Sequence, residues 1–208
     1  MIGRGCSVVV LGSLGVGKTS LCAALTDNRM SVAPPFPYSP TLFPECSAML
    51  VEADDVSSIA SVEGLLLHTQ RERKRARATL VDTPGDKDME ALVLSACLTS
   101  DVLVCVVDRD RPETVEYVDR MLERMPRRET IVVACKEDEG RPERGGCFTR
   151  RGKVLKDEQE AARFLAKHQA QYLQVSLVTG AGVRQLTQAV GKAVVRCSPA
   201  HEERKKCH

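Results

Sequence analysis

The sequence predicts an α/β fold in which a mostly parallel, six-stranded sheet carries helices on both faces. Short runs of β-branched apolar residues alternate along the chain with stretches of helical spacing, which is typical of parallel strands joined by crossover helices. Chemically distinctive residues follow several of these runs directly. Right-handed crossovers bring the carboxyl ends of such strands to one edge of the sheet, so we expect one ligand site there.

The bulk composition indicates a soluble globular domain. The 208 residues are 43% hydrophobic and 28% charged, which suits a chain with a sizeable core. A net charge of +2 and an aromatic content of 3% give no reason to expect a specific nucleic-acid partner. Nine cysteines without a Cys-x-x-Cys pair favour reduced thiols and a cytoplasmic location. No signal peptide or membrane-length apolar run is expected.

Each predicted element follows from its local pattern. Strands are predicted over short, largely apolar runs, which are residues 6–11, 46–51, 78–81, 102–107, 131–134 and 172–175. The near-continuous apolar run 102–107 is typical of a strand covered on both faces. Helices are predicted where apolar residues recur at helical spacing; these are residues 19–28, 88–98, 112–125, 156–169 and 182–195. Pro112 suits the first turn of its helix.

Two segments have a less regular pattern. Residues 29–44 contain five prolines and predict an extended loop. Residues 56–68 have helical spacing weakened by Gly64, and residues 71–77 form a basic run. The basic run predicts a solvated loop; the alternative is a patch for an acidic partner or an anionic membrane surface. We therefore expect one domain over residues 1–196 with an insert around 54–77, followed by a flexible polar tail, residues 197–208.

A phosphate-binding loop is predicted between the first strand and the first helix. Gly12-Ser13-Leu14-Gly15-Val16-Gly17-Lys18-Thr19 fits the pattern G-x-x-x-x-G-K-[ST] at every fixed position. Glycines let backbone N–H groups fold around a phosphate, and the helix N-terminus adds partial positive charge. Lys18 would reach the β- and γ-phosphates, and the Thr19 hydroxyl would hold Mg²⁺. The loop residues expected at the nucleotide are Gly12, Leu14, Gly15, Val16, Gly17, Lys18, Thr19 and Ser20.

A carboxylate and a glycine follow the third predicted strand, in Asp82-Thr83-Pro84-Gly85. Asp82 can supply the carboxylate that supports Mg²⁺ in phosphoryl transfer, and Gly85 can bring its N–H against the γ-phosphate. The alternative is that Asp82 is an ordinary turn or cap residue.

The base is predicted from Cys135-Lys136-Glu137-Asp138, which follows the fifth strand. The Asp138 carboxylate can accept hydrogen bonds from both N1–H and N2–H₂ of guanine, whereas adenine would leave it unpaired in a dry site. Lys136 can lay its apolar stem over the base. A charged surface turn is the open alternative.

In this order the segments resemble those of small GTPases of the Ras superfamily, over residues 6–196. Residues 38–41 resemble switch I, whose threonine, here Thr41, binds Mg²⁺ and the γ-phosphate. Residues 82–85 resemble the start of switch II, residues 135–138 the guanine motif Asn-Lys-x-Asp, and Ser176 with Leu177 the motif whose backbone N–H contacts the base.

The resemblance implies a three-layer P-loop NTPase fold, GTP or GDP as ligand, and Mg²⁺ held by Thr19, Thr41 and Asp82. It also implies effector, exchange-factor and GTPase-activating proteins as partners.

Four positions depart from the family pattern, and one of them, Val178, replaces the usual lysine of the last motif. Asp86 stands where the family usually has a water-orienting glutamine, and Leu14 stands where it has a small residue, so we expect slow hydrolysis. Cys135 replaces the usual asparagine, so we expect lower nucleotide affinity. The expected catalytic residues are Lys18, Thr41, Gly85 and Asp86.

The sequence thus predicts a small GTP-binding switch with slow hydrolysis, in signalling or vesicle trafficking. The alternative is a guanine-nucleotide-binding adaptor with little or no turnover, and an ATP-using P-loop kinase is a third reading. Cys207 beside Arg204-Lys205-Lys206 leaves lipidation of the tail and peripheral membrane attachment open.

Overall fold

The computed structural model describes residues 5–26, 40–55, 72–108, 111–135 and 158–197, with side chains described over residues 5–26, 40–51, 76–108, 111–135 and 161–197. The strands in these ranges are β1 (Cys6–Leu11), β2 (Glu45–Asp55), β3 (Glu72–Asp82), β4 (Val102–Asp108), β5 (Glu129–Cys135) and β6 (Gln171–Val175). The α-helices are α1 (Lys18–Thr26), α2 (Glu90–Leu98), α3 (Glu113–Glu123), α4 (Glu158–His168) and α5 (Val183–Cys197), and a 3₁₀ turn over Lys87–Met89 precedes α2.

The strands form one six-stranded sheet in the order β2-β3-β1-β4-β5-β6. Only β2 is antiparallel to its neighbour; every other neighbouring pair is parallel. The predicted fold class is therefore confirmed. The parallel strands end together at one edge, so the residues that follow β1, β3, β4, β5 and β6 lie along that edge.

Two apolar cores cover the two faces of the sheet. Alternate residues of β1 divide between them: Val8 and Val10 pack with α1 and α5, whereas Val9 and Leu11 pack with α2, α3 and α4. Because successive side chains of a strand point to opposite faces, strands covered on both sides must be apolar at every position. This explains the apolar run of β4 and that of β1 from Val8 to Leu11.

The β2–β3 hairpin is the main departure from the predicted elements. Its register runs from Glu45 opposite Asp82 to Asp55 opposite Glu72, whereas β1 pairs with β3 only from Ala78 to Asp82. The prediction of a loop for residues 71–77 is therefore wrong over residues 72–77, which are strand. Residues 72–77 extend beyond the paired part of β1, and the antiparallel strand β2 satisfies their backbone hydrogen bonds.

One further expectation is confirmed, and two others concern residues that the structure does not describe. Cys6, Cys105 and Cys135 are buried in strands, which confirms that they act as small apolar residues. The predicted helix over residues 56–68 and the tail beyond residue 197 lie outside the described residues. No helix in the described part of the chain is long and apolar enough to cross a membrane.

Candidate functional site

The connection from β1 to α1 forms a cradle of backbone N–H groups. Gly15 and Gly17 have φ angles of 72° and 97°, in the left-handed region that glycine adopts without strain. The N–H groups from Gly15 to Thr19 donate to no acceptor among the described residues. A run of unpaired amides at a helix N-terminus is an anion-binding site.

Gly12 is required by close packing rather than by its backbone angles. A Cβ at this position would lie 2.6 Å from the Val106 carbonyl oxygen and 2.9 Å from Val16 Cγ2. The first contact is with backbone in the neighbouring strand β4, which cannot move aside cheaply. The loop therefore starts flush against β4.

Lys18 places a buried cation beneath this cradle. Its side chain is 6% exposed, and its Nζ donates to the Ser13 carbonyl oxygen at 2.9 Å. Burial lowers the pKa of Lys18 to about 8, although the nearby Asp82 carboxylate acts in the opposite direction. A buried ammonium that lacks a close carboxylate partner among the described residues is suited to an anionic ligand.

The nucleotide-free protein is expected to gain stability from Lys18 as the pH rises. The folded-state pKa is about 8 and the ordinary value is 10.5, so between these values the unfolded chain binds more protons and the free energy of unfolding increases. Below pH 8 the full desolvation penalty applies. Relative to Lys18→Met, the wild-type protein should gain on the order of 3 kcal/mol over this window.

Chemical denaturation of both proteins at several pH values from 7.5 to about 10.5 measures this difference. The prediction would be contradicted if the free energy of unfolding changed with pH in the same way for both proteins.

Three side chains form an oxygen cluster beside the cradle. Asp82 Oδ2 accepts hydrogen bonds from the Thr19 hydroxyl at 2.6 Å and from the Thr41 hydroxyl at 3.2 Å, and the two hydroxyls are 3.0 Å apart. Asp82 is 4% exposed, and its Oδ1 is buried without a partner among the described residues. A carboxylate and hydroxyls are the hard ligands that Mg²⁺ takes together with substrate phosphates, so the predicted set Thr19, Thr41 and Asp82 fits this metal.

The chain after β3 packs directly on the phosphate loop. A Cβ on Gly85 would lie 2.6 Å from both Leu14 N and Lys18 Nζ, so only glycine fits here. The next residue, Asp86, is exposed and its Oδ1 accepts from Asp88 N at 3.1 Å. Asp86 therefore caps the 3₁₀ turn, as a short acidic side chain often does at such a position. Its role toward an attacking water stays a prediction.

The far end of the loop lies beside β5 and β6. From a Cβ position on Gly17, Leu177 Cδ1 is 3.6 Å away and Cys135 Cβ is 3.9 Å away. Cys135 is buried at the end of β5. Ser176 closes a turn, because its carbonyl oxygen accepts from Gly180 N at 2.9 Å and its Oγ from Thr179 N at 3.2 Å. Lys136 and Asp138 lie outside the described residues, so the base contacts stay predictions.

One site residue was missed by the sequence reasoning. Arg111 follows β4 and pairs with Asp108 Oδ2 at 2.9 Å through Nε, while its Nη2 lies 3.3 Å from the Leu14 carbonyl oxygen. The signal was available, since Asp108 ends a buried strand at the same edge as Asp82. It was overlooked because the pair belongs to no short motif.

Comparison with known families places these observations in context. The family model described as elongation factor Tu GTP binding domain matches residues 4–196. No curated protein sequence matches the chain.

Proposed function

The chain belongs to the family of the elongation factor Tu GTP binding domain and is therefore a P-loop GTPase, and we propose that it works as a small, Ras-like switch between GTP and GDP with slow hydrolysis. One observation carries this proposal: the unpaired amides of residues 15–19, the buried Lys18 ammonium and the oxygens of Thr19, Thr41 and Asp82 converge at one edge of the sheet. Phosphates and a divalent cation are the ligands that this combination suits.

Residues from two separate segments would contact the γ-phosphate and lose that contact on hydrolysis. Thr41 lies in the segment before β2 and Gly85 in the segment after β3, and both contact the phosphate-loop region. Ligand contacts through these residues would hold the two segments together, and hydrolysis would release them. Leu42 and Phe43, large apolar side chains beside Thr41, are exposed. We propose that effector, exchange-factor and GTPase-activating proteins contact these two segments.

Hydrolysis would depend on positioning and charge rather than on covalent chemistry from the protein. The loop amides and Lys18 would bind the phosphates, and Mg²⁺ held by Thr19, Thr41 and Asp82 would neutralise charge on the β- and γ-phosphates. The hydrogen bond of Asp86 to Asp88 N and the 46% exposure of Leu14 support slow turnover. The hydrogen bond engages one oxygen of the Asp86 carboxylate, which stands where the family usually has glutamine. The exposed Leu14 side chain would place an apolar group beside the phosphates.

Asp86 and Leu14 also favour the second candidate, a guanine-nucleotide-binding adaptor with little or no turnover.

We also propose that the protein is cytoplasmic and acts in signalling or vesicle trafficking. We further propose the basic run, residues 71–77, or the polar tail, residues 197–208, as the part of the chain that would contact an anionic membrane surface.

The nucleotide carried by the purified protein tests the proposal. We expect GDP after denaturation and ion-exchange chromatography, displacement by GTP but not by ATP, and a single-turnover rate below that of ordinary small GTPases. Bound GTP without turnover would select the adaptor. Displacement by ATP as readily as by GTP would contradict guanine specificity, and an ordinary hydrolysis rate would contradict the roles given to Asp86 and Leu14.

A further inference from the structure

We propose that Arg111 is a positioning residue of the nucleotide site: it orients the peptide between Leu14 and Gly15 so that the Gly15 N–H faces the nucleotide phosphates. The inference rests on the proposed function, because it assigns a role at the same site. It concerns a segment of the chain, the connection between β4 and α3, that the phosphate-binding motifs do not include.

Arg111 is anchored on a rigid part of the fold. Asp108 ends the buried strand β4, and its backbone N–H donates to Thr114 Oγ1 at 3.0 Å. The Arg111 backbone N–H in turn donates to the Asp108 carbonyl oxygen at 3.2 Å, and Nε pairs with the Asp108 carboxylate at 2.9 Å. Backbone and side chain of Arg111 are thus both held by one buried residue, which directs the remaining guanidinium N–H groups toward the phosphate loop.

The hydrogen bond from Arg111 Nη2 to the Leu14 carbonyl oxygen determines the direction of the neighbouring amide. In a planar trans peptide the C=O of one residue and the N–H of the next point in opposite directions. With the Leu14 carbonyl directed at Arg111, the Gly15 N–H points away from Arg111. This N–H finds no acceptor among the described residues. It is therefore available to a phosphate oxygen.

The charge of Arg111 also reaches the phosphate site. Its guanidinium is among the causes that hold the pKa of Lys18 below the ordinary value, after burial. A cation bonded to the Leu14 carbonyl further polarises the peptide and strengthens the Gly15 N–H as a donor. Both effects favour a polyphosphate at the cradle.

The plain alternative is that Arg111, whose side chain is 37% exposed, is a surface partner that only neutralises the buried Asp108 carboxylate and has no role in binding. The two readings differ in what a substitution changes. A surface pair would leave nucleotide binding unaltered, whereas a positioning residue would change phosphate affinity without changing the fold.

Arg111→Gln and Arg111→Lys test the inference. Arg196→Gln is the control, because Arg196 of α5 also pairs with a carboxylate, that of Glu129 at the start of β5, away from the site. For Arg111→Gln we expect an affinity for GDP and GTP that is weaker by roughly 10- to 30-fold and a shifted ³¹P resonance of the bound β-phosphate. Arg111→Lys keeps the charge but lacks the planar fork that spans Asp108 and Leu14, so an intermediate loss is expected. Thermal midpoints without nucleotide report any loss of stability from the buried Asp108 carboxylate, and affinities are compared at a temperature at which every variant is folded.

Nucleotide affinity and β-phosphate resonance equal to those of the wild type in Arg111→Gln would overturn the inference. Equal losses in Arg111→Gln and Arg196→Gln would also overturn it, because they would indicate a general effect of charge. A wild-type protein that binds no guanine nucleotide would instead contradict the proposed function, so the two failures are distinguishable.

Discussion

Replacing Lys18 with methionine is expected to weaken the affinity for GTP and GDP by about 100- to 1,000-fold, equivalent to ~3–4 kcal/mol. Methionine keeps an unbranched apolar side chain and removes the charged ammonium. The lost interactions are charge-assisted hydrogen bonds from a buried ammonium to phosphate oxygens, which are stronger than neutral ones. Displacement of a fluorescent guanine nucleotide measures the change.

The stability of the nucleotide-free protein should not fall in the same substitution, in contrast to the nucleotide affinity. Because Lys18 is buried and its pKa is lowered by desolvation, removing the charge should leave the free energy of unfolding unchanged or raise it near neutral pH. Lys192→Met, at an exposed position of α5, is the control and should change neither quantity. A Lys18→Met protein with wild-type affinity, or one that loses stability without nucleotide, would contradict the role given to Lys18.

Replacing Asp82 with asparagine is expected to remove the dependence of nucleotide affinity on Mg²⁺. Asparagine preserves the shape of the side chain and an acceptor for the Thr19 and Thr41 hydroxyls, which now bond Asp82 Oδ2. It removes the negative charge on which a hard divalent cation depends. We expect affinity in excess Mg²⁺ to fall by about 100-fold, to the value measured for the wild-type protein in the presence of a chelator.

Asp119→Asn is the matched control for this second experiment. Asp119 is a carboxylate of α3 that pairs with Lys167 and His168 of α4, away from the oxygen cluster, so its replacement should leave the Mg²⁺ dependence intact. If Asp82→Asn retains the full effect of Mg²⁺ on nucleotide affinity, Asp82 does not support the metal, and its buried Oδ1 needs another explanation.

The sequence alone determined the parts of this protein whose physical causes are local. The strands β1 and β4 were predicted because burial on both faces requires an apolar residue at every position. The phosphate loop was predicted because its glycines, its lysine and its threonine act within one strand–loop–helix unit. The position of Asp82 at the same edge followed from the chirality of crossovers, which holds for parallel strands in general.

Tertiary structure decided the contacts between segments that are distant in the chain. The charged part of the β2–β3 hairpin forms strand because each strand satisfies the backbone hydrogen bonds of the other. The sequence has no apolar pattern there from which this pairing could be predicted. The contact of Thr41 with Thr19 and Asp82 was expected only from the family resemblance, and that of Arg111 with Leu14 was not expected. Both depend on which loops share the sheet edge. Side-chain directions and distances at this edge follow from packing of the whole sheet. Each of these hydrogen bonds joins residues that are distant in the chain, and the local sequence around one residue does not indicate the other.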